Sequence, residues 1–191
     1  FDHPPLVAYL IRGSTALFGH SLTAVRLPAV LASVVVVGVV AALTRSRTIL
    51  AGVLLSPLFT AGAVIVTPDA PLLLCWALYL AWLVGVQRQL DAGEPVSLRN
   101  WMMGGAVLGA GLLGKYTMAL AGPAGLAAFL LSRANWRAWV GGYVLHAAVA
   151  AAAFTPVVAF NVDRDFAPLR FQWNHATQAG GGLEPLAAFV G

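Results

Sequence analysis

Long apolar runs, broken by short polar clusters, set the pattern of this chain. Leu22–Leu43 is rich in Val and Ala and is followed by Arg45 and Arg47. Thr48–Val66 comes next, with Pro57 as an expected kink. After the turn Thr67-Pro68-Asp69, a third run covers Ala70–Val86 and stops at Gln87-Arg88. A polar loop, Leu90–Asn100, separates it from two shorter segments, Trp101–Leu113 and Thr117–Leu131, which meet at Gly114-Lys115-Tyr116. Ser132–Arg137 is a basic loop, and Ala138–Phe160 is the last long run. From Asn161 the chain is polar, with a hinge at Gly180-Gly181-Gly182. Crossing a bilayer takes roughly 20 apolar residues, tolerably 17. The pattern therefore predicts an all-α polytopic transmembrane bundle of about six segments. The short pair forms either a re-entrant hairpin or two thin spans.

Ahead of these runs, Leu6–Phe18 mixes apolar residues with Tyr9, Arg12, Ser14 and Thr15. It is too short and too polar to span, and reads as a helix lying at the membrane interface. Pro4-Pro5 is excluded from a helix interior, since neither proline donates an N–H, but it suits a helix start. Asp2 and His3 are thus expected on a stiff corner just before that helix, where an acid also complements the helix dipole.

Composition turns this pattern into a class. Of the 191 residues 60% are hydrophobic and 9% charged, against roughly 25% charged in soluble domains. So few charges cannot solvate the surface of such a chain, and the bilayer is its solvent. The net charge of +4 does not indicate a nucleic-acid partner, because the basic residues are scattered singly between apolar runs. Cys75 is the single cysteine, which excludes an internal disulfide and leaves the redox compartment open. The chain lacks an initiator Met and a signal peptide, and it stops as a new apolar stretch, Leu186–Val190, begins. It reads as an internal fragment of a longer membrane protein. The expected organisation is one partial domain over 1–191: an extracytoplasmic loop and interfacial helix (1–20), membrane segments (22–160) and an extracytoplasmic loop (161–191).

If the spans alternate, Arg45, Arg47, Arg88, Arg99, Arg133 and Arg137 share one side, which the positive-inside rule makes cytoplasmic. Asp2, His3, Asp69, Lys115, Asp163, Arg164, Asp165, Arg170 and His175 then share the other. Ionisable groups at span ends in so apolar a chain are costly without a task or a partner, and a shared extracytoplasmic site is expected. Asp69 suits either an N-cap or a carboxylate facing that site. Lys115, the only lysine, suits either interfacial snorkelling or a point charge for a phosphate. His175, in Phe171-Gln172-Trp173-Asn174-His175, has the chemistry of a metal ligand or acid/base. His146, mid-span among Ala and Val, reads as a packing residue with a backbone partner, and His20 as a loop residue. The Asp163-Arg164-Asp165 cluster reads as solvated surface. No Gly-rich phosphate loop, Cys cluster or HExxH pair is present.

The sequence Phe1-Asp2-His3-Pro4-Pro5-Leu6, followed by Leu17-Phe18-Gly19 and Val25-Arg26-Leu27-Pro28, resembles the start of the bacterial family 39 glycosyltransferases. This is the protein mannosyltransferase and aminoarabinose transferase superfamily, with the GT-C fold. Thr67-Pro68-Asp69-Ala70-Pro71-Leu72, Gly111-Leu112-Leu113-Gly114-Lys115-Tyr116-Thr117 and Phe171-Gln172-Trp173-Asn174-His175 continue the resemblance in order.

The resemblance implies an inverting enzyme of the inner (plasma) membrane. Such an enzyme moves a sugar from a polyprenyl-phosphate carrier to a protein, lipid or glycan acceptor on the periplasmic or outer face. It further implies Asp2 and His175 as ligands of a divalent metal near the carrier phosphate; carboxylate with imidazole suits zinc or manganese, with magnesium the remaining candidate. His3 stands where the family often has a phosphate-contacting lysine. Lys115 and His3 are the expected phosphate contacts, and Asp69 the carboxylate that orients sugar or acceptor. The main catalytic base is expected upstream of Phe1, so the fragment by itself is expected to be inactive.

The alternative is a transporter or channel segment with Asp69 and Lys115 on an ion path. That reading would put ionisable groups near the midplane, whereas here they collect at span ends. Cysteines placed at positions 69 and 88 should be labelled from opposite sides of the membrane by an impermeant maleimide. Labelling of both from one side would overturn the topology.

Overall fold

The computed structural model describes residues 4–132 and 134–178. Asp2, His3 and Arg133 lie outside them, as does the Gly180–Gly182 hinge, and of His175 only the backbone is described. The described residues are helical throughout: α1 (Leu6–Phe18), α2 (Leu22–Thr44), α3 (Arg47–Leu55), α4 (Pro57–Val64), α5 (Asp69–Asp91), α6 (Leu98–Gly114), α7 (Ala121–Leu130), α8 (Val140–Val162) and α9 (Ala167–Gln178). Short 3₁₀ turns, Tyr116–Leu120 and Trp136–Ala138, precede α7 and α8.

Three helices, α2, α5 and α8, are long and apolar enough to cross a membrane, and α3 with α4 makes a fourth candidate, bent by 63°. The bend falls at Ser56-Pro57. Proline cannot donate to the preceding turn, and the Ser56 hydroxyl instead accepts the Phe59 N–H that opens α4. The expected short pair is α6, at 17 residues, and the 3₁₀ turn leading into α7.

Two expected boundaries shift. α5 continues past Val86 to Asp91: Leu90 is buried, and Gln87 donates to the Ala128 carbonyl at 2.9 Å, so its polar residues face partners rather than ending the helix. It ends before Gly93, whose φ of 74° is open to glycine at little cost. Beyond Asn161, where a polar loop was expected, α8 runs on to Val162 and a further helix, α9, follows. The turn between them places Asp165 and Phe166 at φ 51° and 57° and sends the Phe166 N–H back to the Asn161 carbonyl at 2.8 Å.

The register between helices comes from particular contacts. Trp82 Nε1 donates to the Asn100 carbonyl at 2.9 Å, and Cys75 packs near Gly111, so α5 and α6 are antiparallel. Trp101 lies on Gly142, Gly105 on the His146 carbonyl and Gly109 on Ala150 and Ala153, so α6 and α8 run parallel. The Tyr143 hydroxyl donates to the Gly122 carbonyl at 2.7 Å, while Phe129 stacks on Trp139; α7 and α8 are therefore antiparallel. These directions put Asp69, Gly114-Lys115 and Asn161 at one end of the bundle. Arg88, Arg99 and Arg137 lie at the other, about 28 Å away along α5 at 1.5 Å per residue. Asp91 and Glu94 also stand at the arginine end, so the acids are not confined to the Asp69 end.

Two buried clusters fill the interior: Cys75, Tyr79, Leu108, Met118, Ala121 and Ala150 toward the Asp69 end, and Leu83, Val86, Leu90, Trp101, Phe129 and Trp139 toward the arginine end. His146, fully buried, lies between them. Its ring stacks on Trp82 at 4.6 Å, and Nε2 is 3.4 Å from the Tyr79 hydroxyl. It is a packing residue, as expected, with the Trp101 backbone as well as the Tyr79 hydroxyl as its polar neighbours.

Between helices in a bilayer the hydrophobic effect supplies little attraction, and close approach at small residues takes its place. α6 has the largest contact with a neighbour, α8, through the spacing Gly105-x-x-x-Gly109. A Cβ on Gly105 would collide with the His146 carbonyl oxygen and come within 2.9 Å of Val149 Cβ. Since that neighbour is backbone, Gly105→Ala must push α6 from α8. A loss of about 1–3 kcal/mol is expected, the usual range for overpacking. Gly38→Ala, on an exposed face of α2 with nothing within 4 Å, should be neutral or stabilising. Thermal unfolding of both variants in detergent checks the contrast.

Candidate functional site

The end of α6 is built to present Lys115. Gly114 is the last residue of the helix, and a Cβ there would rest 3.6 Å from Leu6, 3.8 Å from the Leu72 nitrogen and 3.9 Å from Pro71. So α1, α5 and α6 converge on this glycine. Lys115 then turns extended, at φ −158° and ψ 139°. Its N–H bonds the Gly111 carbonyl at 2.9 Å and its carbonyl accepts the Met118 N–H at 3.1 Å, which starts the 3₁₀ turn. Met118 folds back onto Gly111, where any side chain would collide with it. Gly111 and Gly114 share a motif with Lys115 in the sequence, and their task is to let the chain reverse tightly beside it.

Asp69 opens α5. Pro68 occupies the N-cap position and Asp69 is the first helical residue, so the N-cap role does not hold. The carboxylate instead accepts from Lys115: Nζ to Oδ1 is 2.7 Å. The lysine side chain is 31% exposed and the aspartate 63%. Residues 46 apart in sequence thus form a charge pair on the rim of an apolar bundle. The carboxylate faces the lysine, and the lysine ammonium is bound to it.

Asp69 borders one hollow, and Tyr116, next in sequence to Lys115, borders another. The first, of about 690 Å³, lies between α2, α4 and α5, with Ser33, Phe59, Thr67, Asp69 and Trp76 on its wall. The other, of about 380 Å³, is lined by Pro5, Tyr9, Tyr116, Val157, Phe160 and Pro168. Tyr116, next to Lys115, meets Phe154 of α8 edge-on at 6.2 Å. Asn161, buried at the same end, donates to the Val157 carbonyl at 2.9 Å. Sequence reasoning gave neither Tyr116 nor Asn161 a role.

The remaining candidates divide by location. Pro5 caps α1 and accepts the Tyr9 N–H at 3.1 Å, as Pro-Pro predicted, but Asp2 and His3 themselves lie outside the described residues. So does the expected Asp2–His175 metal pair, since the His175 side chain is not described. Among the described residues no three of His, Cys, Asp and Glu gather to hold a metal ion. Asp163, Arg164 and Asp165 are exposed, as expected for surface, and the Arg164 guanidinium lies 4.4 Å over the Phe160 ring. His20 is exposed in the link between α1 and α2.

A helical membrane bundle with a charge pair set into an apolar end is the class these features define. The family model of dolichyl-phosphate-mannose-protein mannosyltransferases matches residues 2–160, and the chain belongs to that family, the membrane glycosyltransferases of mannosyltransferase type. No curated protein and no solved structure gives a match.

The ion pair itself is a weak tie. Partly exposed pairs couple by about 0.2–1 kcal/mol. A double-mutant cycle of Asp69→Asn and Lys115→Met, read by thermal unfolding, should fall in that range and shrink with added salt. A coupling of several kcal/mol would show the pair to be structural.

Proposed function

We propose that this protein transfers a sugar from a polyprenyl-phosphate carrier to an acceptor hydroxyl at the extracytoplasmic face of the cell membrane, with inversion at the anomeric carbon. The observation that carries the reading is the Lys115–Asp69 pair at one end of the apolar bundle, in a family whose name specifies a lipid-phosphate-linked mannose. A transporter would place its ionisable groups near the midplane, and this pair is at a helix end.

The chemistry sets what the site must do. As the glycosidic bond breaks, its electron pair passes to the phosphate oxygen, and the carrier gains a negative charge. A positioned cation stabilises that charge in the transition state. Lys115 supplies it, with its backbone held in place on both sides, and His3 is the second phosphate contact. Asp69, one hydrogen bond away, orients a hydroxyl of the sugar or acceptor. The apolar walls of the two hollows suit a hydrocarbon carrier that enters from the bilayer. Asp2 and His175 are the residues that would hold a divalent metal, which would share the phosphate charge when bound.

Transfer of mannose from a polyprenyl-phosphate donor, measured in membranes carrying the full-length protein that contains this chain, tests the reading. Lys115→Ala should lower turnover by about 10²–10³, the usual loss for one transition-state charge partner, while insertion and melting temperature hold. Near-normal transfer by Lys115→Ala would overturn the assignment of the donor phosphate.

A further inference from the structure

The lysine assigned to the donor phosphate is already engaged: Asp69 Oδ1 sits 2.7 Å from its Nζ. We propose that the Asp69 carboxylate holds the place of the donor phosphate on Lys115, so that donor arrival displaces Asp69 and frees it to receive a sugar or acceptor hydroxyl. The proposal rests on the donor reading above.

Three features support an exchange rather than a fixed pair. First, Lys115 is anchored by its backbone, through Gly111 and Met118, so the residue keeps its place at the rim without Asp69. Second, the Asp69 side chain makes no other hydrogen bond among the described residues, and α5 starts without its help, at Pro68. The carboxylate can leave without unravelling the helix. Third, the pair is partly exposed, and pairs of this kind are held weakly. A phosphate brings more acceptor oxygens to the same ammonium, and charge-assisted bonds to it are strong.

The exchange also follows the charge through the reaction. The bound donor is a phosphodiester with one negative charge. As the acceptor oxygen bonds to the anomeric carbon and gives its proton to a base, the glycosidic C–O bond to the phosphate breaks and its electron pair stays on the phosphate oxygen. The product is a phosphate monoester with additional charge, which holds Lys115 more tightly than the donor did. Return of Asp69 to Lys115 then competes with the product and favours its release. A carboxylate that merely steered Lys115 toward the phosphate would do the opposite: its removal would weaken binding.

The test is binding of a sugar-free polyprenyl phosphate to the full-length protein in nanodiscs, with mannose transfer measured alongside. Asp69→Asn should tighten binding about two- to fivefold, the factor expected from removing one weak competing pair, while lowering transfer. Lys115→Met should weaken binding at least about tenfold, as loss of a charge-assisted contact requires. In the Lys115→Met background the tightening by Asp69→Asn should shrink. Asp69→Ser repeats the measurement should the asparagine variant fold poorly. If Lys115→Met weakens binding but Asp69→Asn and Asp69→Ser leave it unchanged or weaker, the exchange is wrong and the donor site stands. If Lys115→Met leaves binding unchanged, the donor reading falls, and the exchange with it.

Discussion

The position of α6 against α8 is the constraint on which the rest of this structure depends. In a bilayer, lipid tails are as apolar as leucine side chains, so helices gain from contact chiefly where their backbones come close. Gly105 and Gly109 allow that approach to α8, and Gly104 admits the Trp82 ring of α5 on another side. α6 is thereby clamped between two spanning helices. Its C-terminal end, and with it Lys115, lies where those contacts put it.

That clamp explains how a short helix can carry a site. At 17 residues α6 is about 26 Å long, less than the two long helices beside it. It stops at Gly114, where α1 and α5 also converge, and the chain reverses through a 3₁₀ turn. A lysine at such a reversal has a fixed backbone and a side chain at the rim, close to water yet walled by apolar groups. Asp69 arrives at the same rim because α5 begins there. Neither residue needs the other in order to be placed, which is why their bond can be weak without loosening the bundle.

Much of this was legible from the chain alone. The apolar runs marked the helices, because in a membrane every backbone polar group must be satisfied within its own segment. Pro57 marked the bend, and Pro4-Pro5 the start of α1. The sorting of Lys115 and Asp69 away from Arg88 and Arg99 followed from alternation of spans. Less legible were the ends of helices. Gln87 and Arg88 looked like a stop but lie inside α5, since polarity alone does not break a helix when Gln87 has a carbonyl to reach. The polar stretch after Asn161 likewise hides α9, whose starting turn is closed by backbone bonds to Asn161.

Sequence by itself determined the class: an apolar, helical membrane protein, its motifs in an order that identifies a mannosyltransferase-type family. It also determined that Asp69 and Lys115 share an end, because helix length and alternation are local properties. Only the tertiary structure decided that they share a bond. Residues separated by 46 positions meet through the packing of α5 on α6, and that register is set by Trp82, Gly104, Cys75 and Gly111 fitting one another. Side-chain fit across helices has no periodicity along the chain and cannot be read from it. The same holds for His146, whose burial against Trp82 and Tyr79 of α5 and Gly105 of α6 arises from three helices meeting.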